Sequence, residues 1–156
     1  TSNITTASGN KIGTIVNMPT GSCNSYKIGG LQYMLGAMDT GGDTYHVRLW
    51  NSSETVLQSI TIDTDFQGGN TTRGYHQIWF DKNNLVSLSP NTNYYLGIEF
   101  VSGSALGYPM NVYNDAINLL AGNRNNPYAI YGNTISTGTT NTAGSPFLYP
   151  LITEIS

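Results

Sequence analysis

The side chains in this sequence best suited to chemistry are aromatic rather than ionisable. Trp50 ends the run Tyr45-His46-Val47-Arg48-Leu49-Trp50, Trp79 stands between Ile78 and Phe80, and Tyr95 stands between Tyr94 and Leu96. Successive side chains of an extended chain point to opposite faces, so each of these rings falls away from the apolar residues around it. Rings presented in this way stack on the C–H groups of sugars through their electron-rich faces. They also populate protein–protein interfaces. Trp50, Trp79 and Tyr95 are therefore the expected contacts to a partner or a glycan; the plainer alternative is that loops fold over them.

The ionisable residues offer less. The sequence contains no G-x-S-x-G elbow, phosphate loop or H-E-x-x-H pair. His46 alternates outward, and His76 shares parity with Ile78 at the start of its run. The two could meet across a sheet and bind a metal, but no third ligand is in register, and an exposed His and a hydrogen-bonded strand-end His are the plainer reading. Asp63-Thr64-Asp65-Phe66-Gln67-Gly68 has the D-x-D spacing and downstream Gly of a calcium loop, but not the distal bidentate Glu. That stretch and Asp39-Thr40-Gly41-Gly42-Asp43 read as turns, where Asp bonds to its own backbone. Nine acidic residues are enough for a glycosidase pair. None has the context of one, and Glu99, alone in the middle of a strong strand, points outward. No catalytic residue, cofactor or metal site is expected, and the protein reads as a non-enzyme.

The elements that must position the rings are strands. Tyr45–Trp50 and Val56–Ile62, joined through Asn51-Ser52-Ser53, read as a hairpin with Ile60 and Ile62 inward. Tyr75–Phe80 follows a polar loop over Asp65–Arg73. In the strand Tyr94–Phe100, Tyr94, Leu96, Ile98 and Phe100 share one face and Tyr95, Gly97 and Glu99 the other. Leu31, Tyr33 and Leu35 alternate likewise, Lys11–Val16 reads as an edge strand, and Leu148–Ile155 completes about eight strands. Asn114 or Asp115 can cap one or two helical turns through Ala121, with Gly122 to end them. The rest of Ser102–Ser145 reads as long loops with short strands. The expected fold is an all-β jelly-roll or β-sandwich of about eight antiparallel strands with at most one short helix, a single domain over residues 1–156.

Composition agrees. Charged residues are 10% and the net charge is −3, while 38% of residues are hydrophobic, which argues against disorder. The six basic residues are scattered, so the counterion-releasing patch that binds nucleic acid is missing. No apolar run approaches the length of a membrane-spanning helix, and no signal peptide is visible. Thr1 reads as a processed start or a boundary within a longer chain. Cys23 is the one cysteine, which excludes an intrachain disulfide and fits assembly in a reducing cytoplasm.

The stretch from Tyr45 to Phe100 resembles a family of small jelly-roll domains in bacteriophage structural proteins and bacterial surface proteins. Its hairpin pattern Y-x-V-x-L-W-[ND]-S-S-x-T-x-L stands here as Tyr45 to Leu57. An inward V/I-x-F stands as Ile78-Trp79-Phe80, and the opener L-x-x-x-T-x-Y-Y-L-x-I as Leu88 to Ile98. These motifs cover about a third of the chain and carry no catalytic residue. The resemblance implies a virion structural protein, a capsid decoration or cement protein on the particle surface, assembled in the host cytoplasm. Its partners would be the major capsid or another virion protein and copies of itself, as a trimer. The alternative it implies is a carbohydrate- or receptor-binding adhesion module contacting a cell-surface glycan. Neither nucleic acid nor membrane is expected as a partner.

Overall fold

The computed structural model describes residues 2–5, 9, 11–35, 44–63, 74–102, 107–111, 129–132, 139–141, 145–146 and 148–156. Within them the chain is all-β, with strands β1 (Ser2–Thr5), β2 (Lys11–Val16), β3 (Tyr26–Leu35), β4 (Thr44–Asn51), β5 (Val56–Asp63) and β6 (Gly74–Trp79). After a 3-10 turn at Lys82–Asn84 come β7 (Tyr94–Ser102), β8 (Gly107–Asn111), β9 (Ala129–Gly132), β10 (Thr139–Asn141), β11 (Ser145–Pro146) and β12 (Leu148–Ile155). The helical turns expected at Asn114–Ala121 and the loop Asp65–Arg73 lie outside the described residues.

Each strand predicted by alternation is present. The additional ones, β1 and β8 to β11, have two to five residues, too few for a period of two to register. All described pairings are antiparallel, in a six-stranded sheet β10-β9-β2-β7-β4-β5 and three-stranded sheets β12-β3-β6 and β1-β8-β11. One expectation is corrected here. β2 is an interior strand, because β9, from the weakly periodic segment, pairs along the side away from β7.

The main core is sandwich-like. The inward faces of β7 (Leu96, Ile98, Phe100) and β4 (Tyr45, Val47, Leu49) join Tyr26, Ile28 and Leu31 of β3 in one buried cluster. Tyr26 and Tyr94 meet edge to face across it, ring centroids 6.4 Å apart. Burial pushes the Tyr26 phenol up to about 12, and Tyr94 beside it adds to the shift.

Strand β3 solves a parity problem. Ile28 and Leu31 are both buried, yet they are three residues apart, which alternation alone would place on opposite faces. The register against β12 slips by one residue at Gly29, and by one at Thr153 on the facing strand. The bulge resets the alternation. A Cβ on Gly29 would lie 2.3 Å from the Thr153 methyl, and one on Gly30 would lie 2.1 Å from the Ile78 carbonyl oxygen. The two glycines therefore let three strands close up at the bulge.

Candidate functional site

The six-stranded sheet turns its outer face away from the main core. Its register lines up Ile15, Tyr95 and Trp50 in one row, Gly13, Gly97 and Arg48 in the next, and Lys11, Glu99 and His46 in the third. Trp50 and Tyr95 thus lie on the side that alternation assigns, and they are direct cross-strand neighbours. They are not exposed. Trp50 is 1% and Tyr95 8% accessible, and with Ile15 they form a second, smaller apolar cluster. This corrects the expectation that both rings present a contact surface: aromatic neighbours on adjacent strands cover one another, and a charged clasp closes over them.

The clasp comes from the hairpin turn. Glu54 N–H donates to the Asn51 carbonyl, Asn51 N–H donates to the Thr55 carbonyl, and the Asn51 side-chain oxygen accepts from Ser53 and Thr55 N–H. This closure puts Glu54 at φ 62, a left-handed position usually given to Gly. Glu54 instead sends its carboxylate to Lys11 Nζ, 3.1 Å away, and both side chains are mostly buried. The Lys11 ammonium lies 5.9 Å from the centroid of the Trp50 ring, within cation–π range.

Beyond the clasp the face is a polar ladder. Arg48 pairs with Glu99 across β4 and β7, and its Nε donates to Ser59 Oγ at 3.1 Å. His46 Nδ1 is hydrogen-bonded to Thr61 Oγ1 at 2.9 Å. Partial burial lowers the His46 pKa, the Arg48 guanidinium lowers it further, and Glu99 opposes both. His46 and His76 belong to strands of different sheets, so they do not meet across one sheet. Among the described residues no cluster of three or more His, Cys, Asp and Glu could hold a metal, and no helix is long and apolar enough to cross a membrane. The side chains of Asp39, Asp43, Asp63, Asp65 and His76 lie outside the described set.

Trp79 differs from the other two rings. It lies on the outer face of β12-β3-β6 and is 51% exposed. Its neighbour in register is Gly30, followed by Leu151; the adjacent row is Gln77, Gln32 and Tyr149. Gln77 Nε2 donates to Gln32 Oε1 at 2.9 Å, and Tyr149 is 37% exposed. Lys27 and Glu154, on neighbouring strands β3 and β12, are joined at 3.0 Å.

The structure therefore brings Trp50 and Tyr95 together beneath a clasp and leaves Trp79 on another sheet beside Gln77, Gln32 and Tyr149. Parity with Trp79 already aims Gln77 outward, and Leu31 inward aims Gln32 outward. Nothing local, however, places Tyr149 beside Gln32, since 117 residues separate them in the chain. No protein-family model and no curated protein matches this chain.

Proposed function

We propose that this chain is a non-enzymatic structural protein of a bacteriophage virion, a capsid decoration protein that coats the particle surface as a homo-oligomer. The observation that carries the reading is the outer edge of β5. Among the described residues this strand pairs only with β4, and from Val56 to Ile62 it contains no charged residue, Pro or Gly. Proteins normally blunt such an edge with Lys, Pro or a bulge, because it invites another strand. Here the register slips only at Leu57, next to the hairpin turn, and Gln58 to Ile62 runs on uninterrupted.

The resemblance supports the same reading from another side. Its hairpin and strand opener fall on β4, β5 and β7, which are adjacent in one sheet. Pairing β5 with the β5 of a second copy makes a two-fold dimer. The trimer that the resemblance implies needs β5 to meet a different edge, such as β10, in a closed head-to-tail ring.

The test combines light scattering at micromolar concentration with binding to capsids stripped of surface proteins. An oligomer that binds the capsids, and that Thr61→Lys on the β5 edge dissociates, supports the proposal. A monomer that leaves the capsids bare overturns it.

A further inference from the structure

We infer that the outer face of β12-β3-β6 is a binding site for a neutral oligosaccharide, with Trp79 and Tyr149 as its stacking platforms and the Gln32–Gln77 pair between them. This goes beyond the particle role and uses a different surface from the β5 edge. Among the described residues, Trp79 and Tyr149 are the exposed aromatics of the sheet. They lie two strands apart and two residues out of step, a separation of about 12 Å from ordinary strand spacing and rise. That span suits a short run of pyranose rings, with one sugar over each aromatic and another between.

The polar groups between the rings have the matching chemistry. The hydrogen bond from Gln77 Nε2 to Gln32 Oε1 orients both amides. It leaves the Gln77 carbonyl oxygen as an acceptor and the Gln32 amide nitrogen as a donor, side by side on the face. A vicinal diol, whose hydroxyls each donate and accept, satisfies such a pair. Gly30, between Trp79 and Leu151 in register, contributes no side chain, so a flat ligand is not held off the sheet. Charge selects the class of sugar. The stacking and amide residues are all neutral, and Lys27 beside the face is already paired with Glu154, so none of the described residues that line the face is a cation for a sulfated or uronic chain.

The experiment is titration with neutral gluco-, manno-, galacto- and xylo-hexaoses, followed by calorimetry and by acrylamide quenching of tryptophan fluorescence. Trp50 is buried and Trp79 exposed, so quenching reports mainly on Trp79. At least one hexaose should bind and protect Trp79 from acrylamide. Trp79→Ala should weaken that binding roughly tenfold or more, while Gln32→Ala and Tyr149→Ala should each weaken it by a smaller factor. Thr61→Lys on the β5 edge should leave it unchanged, which separates this site from the assembly surface. Failure of every hexaose at millimolar concentration overturns the inference, as does binding that survives Trp79→Ala. Dissociation of an oligomer by Trp79→Ala without any sugar response overturns it as well, and assigns the face to a protein contact.

Discussion

Trp50 and Trp79 occupy equivalent places in the alternation of their strands and opposite environments in the fold. Each follows an inward residue and points to the outer face of a sheet. On the six-stranded sheet, Trp50 meets Tyr95 and Ile15 from neighbouring strands, and the Lys11–Glu54 pair closes over it. On the three-stranded sheet, Trp79 meets a glycine and two glutamines, and half of it stays in water. The side of a sheet on which a residue lies is a local property. Whether that side is covered depends on what the adjacent strands and their turns supply.

Substitution of the two tryptophans tests this contrast most directly. Trp50→Ala should cost about 3–5 kcal/mol, the usual loss for a buried large aromatic, as measured by urea unfolding. A loss below about 1 kcal/mol would mean that the outer cluster is not packed as described.

The interior shared by both sheets provides the next largest effect. The Tyr26 phenol titrates near 10 in the unfolded chain and about 12 in the folded one. Between those values the unfolded state has released a proton that the folded state retains, so stability is intact below pH 10 and falls as the pH rises toward 12. The two-unit difference corresponds to about 2–3 kcal/mol. Tyr26→Phe should flatten that alkaline loss in pH-dependent urea unfolding, and a wild-type curve that stays level to pH 12 would contradict the burial.

The clasp itself is probed by comparing Glu54→Gly with Glu54→Ala. Both remove the carboxylate that pairs with Lys11, but only Gly relieves the left-handed backbone at φ 62. Glu54→Gly should therefore be the more stable of the two by about 1 kcal/mol. Equal stabilities would show that the turn does not hold that conformation.

The smallest effects belong to surface groups. His46 has a lowered pKa when folded, so the unfolded state takes up its proton first as the pH falls below the ordinary histidine value. Stability present above that value should decline toward the folded pKa, and His46→Gln should remove this step. On the open face, Trp79→Ala should change stability by no more than about 0.5 kcal/mol, whatever it does to ligand binding. A cost near that of Trp50→Ala would erase the distinction between the two faces.

Much of this architecture is legible from residue order alone. Alternation in Tyr45–Trp50 and Tyr94–Phe100 specifies the strands and their inward residues, because side-chain direction in an extended chain follows from the backbone. The turn at Asn51-Ser52-Ser53 is readable for the same local reason, since Asn side chains bond to nearby backbone. Tertiary structure alone decided the rest. It made β2 interior by supplying β9, and it used the Gly29 bulge to turn both Ile28 and Leu31 inward. It buried Trp50 under a lysine 39 residues away and set Tyr149 beside Gln32. Each of these outcomes depends on which distant strand lies alongside, and pairing between strands far apart in the chain leaves no periodic mark on either one.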